Sequence, residues 1–569
     1  MKKLFLLILF LTLLPAGWWS SRAQRQGILV SAGFPLPALR LMTPQETQQH
    51  QHYHDASEKL GQVNFPISCS QAAQRQFNRA AALLHSFWYD EAEKAFTEVT
   101  KFEPGCAMGY WGIAMSNYHP LWAPPNPAEL RRGQAAVEKA EATGAKSARE
   151  RDYISAIEVF YQDADKLAHG ARAGAYEKAM EQVYRRYPQD REAAIFYALS
   201  LLGTALPADK SFAHQKQAAA ILNRVLPAAP QHPGIAHYII HSFDYPQLAR
   251  LALPAARSYA KLAASSPHAL HMPTHIFTRL GLWQESIQAN LASAATAKQH
   301  VAKTHPGAAA FEQLHAMDYL TYAYLQVAQD QKAKDVFDEL SQINKLDLEN
   351  FVAAYAFAAI PARYTLERRR WAEAARLSLH PSAFPWRQFP YAEAIICFAR
   401  AVGAARSGEL AAARQEVEKL AAFRQALARA KEVYWADQVE IQRRAAAAWI
   451  ALAEANREKA FALMRAAAEL EDATEKHPVT PGAILPAREM LGELLLETGR
   501  PARALREFEA SLRQAPNRFN GLSGAAQAAA AAGERKKAKT YYRRLVALCD
   551  KADGARPELR KAKAFLAGK

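Results

Sequence analysis

Past its first fourteen residues the chain holds nothing near the roughly 20 consecutive apolar residues that a membrane-spanning helix requires. From residue 70 onward it also lacks the alternating apolar and polar pattern of β-strands, which argues against a sheet. No G-x-x-x-x-G-K-[ST] loop, G-x-G-x-x-G turn or G-x-S-x-G elbow occurs, so the sequence carries none of the motifs for phosphate-loop, dinucleotide or serine-hydrolase chemistry. The H-E-x-x-H motif of zinc proteases, in which a glutamate base sits beside two ligands, is missing too. Cysteine is scarce. There are four, at positions 69, 106, 397 and 549, and none has the C-x-x-C spacing of a metal knuckle.

What is present begins with a leader. Residues 1–23 combine a basic start (Lys2, Lys3), an apolar run from Leu4 to Leu14 and a small-residue ending at Ser21-Arg22-Ala23, the pattern of a secretory signal peptide. No cysteine follows the run to take a lipid anchor. The expectation is a secreted protein, periplasmic if the source is Gram-negative, with no membrane span once the signal is removed. Four cysteines suit an oxidising compartment. Cys69 and Cys106 each stand at the start of a helical unit and form the candidate disulfide, with four free thiols as the other reading.

The formal charge of +16 falls by three when Lys2, Lys3 and Arg22 leave with the leader. Much of the excess lies in helical runs such as Arg368 to Arg370 and "GERKKAKTYYRRL" from Gly533. A nucleic-acid binder concentrates such residues with interleaved aromatics on one face, and export removes that partner, so solvated helix faces are the expectation.

Alanine-rich helical periodicity fills the rest, and it repeats. "GRPARALREFEASLRQAPN" from Gly499 returns 34 residues later as "GERKKAKTYYRRLVALCDK", with Ala504 matched by Ala538 and Phe508 by Tyr542. "FWYDEAEKAFTEVTKFEPG" supplies Ala92, Phe96 and Pro104 at the same offsets, and related units start around Gly281 and Gly408. This pattern resembles the tetratricopeptide repeat, strongly at both ends and loosely between residues 140 and 265. The resemblance implies an all-α, right-handed superhelical solenoid of roughly ten to twelve helix hairpins with a concave groove. The expected segments are 1–23 signal peptide, 24–66 N-terminal extension or linker, 67–345 N-terminal array with the histidine clusters, 346–552 C-terminal array, and 553–569 basic tail.

Seven histidines fall in three clusters within that scaffold: His232, His237 and His241; His268, His271 and His275; and His315 beside Asp318. "AHYIIHSFD" and "LHMPTHIF" each contain an H-x-x-x-H pair, which a helix turns to one face. In tetratricopeptide register, His268, His271 and His275 take the second, fifth and ninth positions of a first helix, as do His315, Asp318 and Tyr322 in the next unit. His85 and His119 take the thirteenth position of theirs. The resemblance thus implies a groove-facing set, with His232, Tyr322 and the loop residue Trp122 as further groove candidates. Secreted bacterial tetratricopeptide proteins with HPGxxHYxxH and HMPxH segments are similar here.

Neutral imidazoles suit zinc, copper, iron or nickel, whereas an all-oxygen set would suit magnesium or calcium. His237, His241, His271 and His275 could close a tetrahedral site, or three of them an open catalytic one, with His315 and Asp318 alongside and Asp244 or Asp318 orienting a ring N–H. Pro273, between His271 and His275, threatens the helical facing of that pair. Two functions follow: a scaffold that binds a protein, peptide or polymer in its groove, or a transition-metal-dependent enzyme. His52, His54, His169, His214, His300 and His305 read as ordinary surface or core residues. His380 and His477 read as loop residues before prolines, and Glu469 and Glu471 as surface charge.

Overall fold

The computed structural model describes residues 58–568 except 122, 123 and 208. The leader, residues 24–57 with His52 and His54 among them, and Trp122 lie outside the described residues. The protein is all-α: stacked helix hairpins form a tetratricopeptide-like solenoid, and the described residues contain no strand, only one bridge between Ala309 and Leu346. No described helix is long and apolar enough to cross a membrane.

Most hairpins close through a residue with left-handed backbone. Glycine fills the turn at positions 281, 408, 499 and 533, but Phe87, Ala328, Arg369, Lys431 and Ala455 hold the same conformation. At Gly281 glycine is doubly required, because φ is +66° and a Cβ would come within 2.3 Å of the Pro516 carbonyl oxygen. Phe87, with φ of 54°, meets a penalty of about 1–2 kcal/mol for the same geometry. Its ring lies over the histidines described below.

Hairpins pack by setting an aromatic of the second helix against small residues of its neighbours. A Cβ on Gly112 would lie 2.2 Å from the Phe96 ring, and one on Gly524 2.2 Å from Phe508. Gly524→Ala is therefore expected to destabilise the C-terminal array by about 1–3 kcal/mol through overpacking. Urea unfolding followed by circular dichroism would measure it, and an unchanged midpoint would contradict this packing.

Cys69 and Cys106 are joined by a disulfide with their Cα atoms 5.6 Å apart, tying the starts of two successive hairpins, while Cys397 and Cys549 are buried free thiols. Two large hydrophobic cores run in sequence, one built from Leu60 to Phe277 and one from Trp283 to Ala538. The C-terminal units fold back onto the middle ones: the Trp283 indole donates to the Asn517 carbonyl at 2.8 Å, and Arg556 pairs with Asp330 at 3.0 Å. Residues 474–486 cross the inner face of the Phe311–Gln326 and Phe351–Leu366 helices. Tyr319 donates its hydroxyl to the Pro478 and Thr480 carbonyls at 3.1 Å, and Arg363 donates to the Ala483 carbonyl at 2.9 Å.

Candidate metal centre

The histidines gather at the seam between the two cores, and all but the half-buried His241 are buried rather than displayed on an open groove. His237 and His241 share the Pro233–Phe243 helix one turn apart. Pro273 does break the next helix into Pro267–His271 and Pro273–Leu280, but Met272 between them keeps helical angles (φ −50°, ψ −37°), so His271 and His275 still face the same way. His315 arrives from the Phe311–Gln326 helix. The turn-to-turn facing survives because proline costs a helix only its N–H and a clash one turn back, and here it begins a new segment.

Stacking sorts these residues into two triads, His237 with His241 and His268, and His271 with His275 and His315, with potential ligand atoms within 4.8 Å of one another in each. The four-histidine set of His237, His241, His271 and His275 is thereby split between two sites. In the first triad His237 is the hub, its Nε2 lying 3.1 Å from His241 Nε2 and 3.2 Å from His268 Nε2. In the second, His271 and His275 bring their Nε2 atoms to 3.1 Å, and the His271 and His315 rings stand 4.3 Å apart between centroids.

Tautomers are settled by what the other ring nitrogens touch. His237 Nδ1–H donates to the His85 carbonyl at 2.7 Å. His271 Nδ1–H donates to Asn290 Oδ1 at 2.8 Å, and Asn290 is held in that orientation because its own NH₂ donates to the Ser286 carbonyl at 2.9 Å. His275 Nδ1–H donates to the Asp244 carboxylate at 2.9 Å. A neutral imidazole with its proton on Nδ1 has a bare lone pair on Nε2. His271 and His275 therefore aim two lone pairs at each other across 3.1 Å. That arrangement is repulsive by itself and becomes favourable around a cation. At His237 a single lone pair faces two rings, one more than it can bond.

Burial keeps the rings neutral. It pushes His237, His268, His271 and His315 far below the ordinary histidine value, His241 down to about 3, and His275 down despite its Asp244 partner. Asp244, although buried, is held well below the usual carboxylate range by Lys476, Arg279 and His275. Aromatic rings pack against both triads: Phe87 lies 4.3 Å and Tyr259 5.1 Å from His237, and Tyr319 lies 4.6 Å from His271. Each triad could in principle hold one metal ion through three imidazole nitrogens. Ring-orienting partners of this kind are worth about 10- to 100-fold in metal affinity, so Asn290→Ala is expected to weaken the His271 site by that factor. Competitive chelator titration would measure it, and unchanged affinity would contradict the role given to Asn290.

The other sequence candidates fall elsewhere. Asp318 is fully buried and paired with Arg363 at 2.9 Å, so it serves an ion pair rather than either triad. Tyr322 accepts from Arg518 at 2.7 Å. His119 sits in a left-handed turn against Tyr89, ring centroids 4.5 Å apart. His85 and His232 form a third cluster with Glu192, each placing Nε2 3.0 Å from a separate carboxylate oxygen. Although burial opposes it, His232 and His85 hold Glu192 ionised, well below the usual carboxylate range. These contacts fix His85, whose carbonyl orients His237, and the ligand atoms of His85, Glu192 and His232, within 4.8 Å of one another, could in principle also hold a metal ion.

Sequence reading missed Asn290, Arg279, Lys476 and Glu192, none of which stands in a motif. His477 is no idle loop residue: it lies beside Lys476 in the crossing segment, its ring 5.3 Å from Trp435, and burial pushes it down to about 4. Nor is Glu471 surface charge, since it accepts from the Ala487 backbone N–H at 3.1 Å and desolvation raises it to about 7.

No protein-family model and no curated protein matches this chain. Its likeness to solved structures is distant. The crystal structure of the yeast Tom70 aligns over 88% of this chain and 96% of that one, at 10% identity and a TM-score of 0.31. The structure of Naa15/Naa10 bound to HypK-THB aligns over 87% and 74%, at 12% identity and a TM-score of 0.21. Neither bears on the histidines.

Proposed function

We propose that this protein is a transition-metal protein, with two ions held by His237, His241 and His268 and by His271, His275 and His315, and that it acts as an enzyme through their open coordination positions. The observation that carries this reading is the pair of bare Nε2 lone pairs on His271 and His275, 3.1 Å apart with both Nδ1 protons committed elsewhere. Three-imidazole sets favour zinc, copper or iron. The buried aromatic surround favours them further, since it keeps the ligands neutral and competing water away. The leader-like residues 1–23 and the Cys69–Cys106 disulfide support export to a secreted or periplasmic location. A groove that binds a protein or peptide has less support, because residues 474–486 already cover the inner face of two helices.

Anaerobic calorimetric titration of metal-stripped, untagged protein with zinc, copper(I) and iron(II) tests the reading. Saturation of at least one metal at two equivalents per chain is expected. No uptake of any of the three would overturn it.

A further inference from the structure

Beside the second triad lies a cavity of about 470 Å³ whose walls include Tyr355, Tyr391, Tyr434 and Trp435 at one part and Arg279 and Lys476 at another. That volume is within the range of small-molecule sites, which are typically apolar with a few placed polar groups. The tyrosine hydroxyls at 355 and 434 are already engaged, one donating to Thr480 Oγ1 at 2.8 Å and the other accepting from the His477 backbone N–H at 2.9 Å. Tyr391 and Trp435 stack on each other with centroids 4.1 Å apart. What this wall contributes is therefore flat carbon surface.

The other part of the cavity carries a charge imbalance. Lys476 Nζ and Arg279 Nε both bond the Asp244 carboxylate, at 3.0 and 2.9 Å. The next acid along, Glu475, is paired with Lys210 at 2.9 Å. At this end Lys476 and Arg279 share the single Asp244 carboxylate while Lys210 is matched by Glu475, which leaves one positive charge in local excess; farther along the lining Arg488 is paired with Asp472 at 2.5 Å, and Glu471 is the remaining acid. Such a local excess is costly at a half-enclosed place unless an anion joins it. A metal ion at the second triad would add to the excess.

We infer that the cavity binds a small aromatic carboxylic acid, its ring against the Tyr391 and Trp435 wall and its carboxylate against Lys476 and Arg279. This goes beyond the metal reading and does not need it. It also gives the site a connection to its surroundings, since Lys476 and Arg279 touch the same Asp244 that orients His275.

Calorimetric titration of the metal-stripped full chain with 2-naphthoate and with its neutral isostere 2-naphthamide separates the two ideas, because no metal is present. The acid is expected to bind about tenfold tighter than the amide, the size of one charge-assisted contact. Lys476→Gln should erase that preference and Lys476→Arg should retain it. If K476Q fails to fold, the wild-type comparison alone decides. Equal affinity for acid and amide, or binding of neither at millimolar concentration, would overturn the inference whatever the metal titrations return.

Discussion

Replacing His237 with alanine is expected to remove one of two bound metal ions and leave the other. His237 is the one ring in its triad whose Nε2 lies within 3.2 Å of both partners, and its Nδ1–H is committed to the His85 carbonyl. If the 10–16 kcal/mol that binds a four-ligand zinc site is shared evenly, one imidazole is worth about 3 kcal/mol, on the order of a hundredfold in affinity. His237→Phe, which retains a ring between Phe87 and Tyr259, should do the same with less disturbance of packing. His271→Ala should remove the other ion. Metal content per chain by plasma mass spectrometry would read all three. Loss of both ions from a folded His237 variant would mean one shared centre rather than two.

Acid should unfold the metal-free protein steeply, starting just below the ordinary titration of histidine. Unfolded, these rings titrate near 6.5; folded, burial keeps His237, His268, His271, His275 and His315 neutral to lower pH. Above pH ~6.5 neither state is protonated there and these groups add no pH dependence. Below it the unfolded chain binds more protons, so stability falls as pH falls. Each ring contributes a slope of at most about 1.4 kcal/mol per pH unit. Five together approach about 7 kcal/mol per unit, against a typical total of 5–15 kcal/mol. Asp244 and Glu192, both depressed in the folded protein, push the same way as pH drops further. Helicity followed by circular dichroism should collapse between about pH 6 and pH 4.5 without metal. With metal, whose binding competes with protons, the transition should move to lower pH. A metal-free protein that stays folded at pH 4 would contradict the neutral, buried state of these rings.

Helical architecture was legible because its cause is local. The 34-residue recurrence that pairs Phe508 with Tyr542 is a direct image of one hairpin stacking on the next. The two H-x-x-x-H pairs were legible for the same reason, since one helical turn brings His237 to His241 and His271 to His275. What joins each pair was not. His268 sits 31 residues from His237, yet its Nε2 lies 3.2 Å away, and His315 comes to His271 from a different hairpin. Repeat register placed Asp318 beside His315, but it could not foresee Arg363 arriving from the Phe351–Leu366 helix to claim the carboxylate. Lys476 reaches Asp244 across 232 residues because the 474–486 segment crosses back over the inner face, a path with no periodic signature. Burial of the triads was missed because it depends on that crossing and on Phe87, Tyr259 and Tyr319 together.

Two metal ions among six imidazoles would be visible in anomalous diffraction from crystals of untagged protein, collected above and below the edges of zinc, copper and iron. Two peaks are predicted, one bounded by the Nε2 atoms of His237, His241 and His268 and one by nitrogens of His271, His275 and His315. Crystals that show no peak at either triad, both as grown and after soaking in each metal, would contradict it.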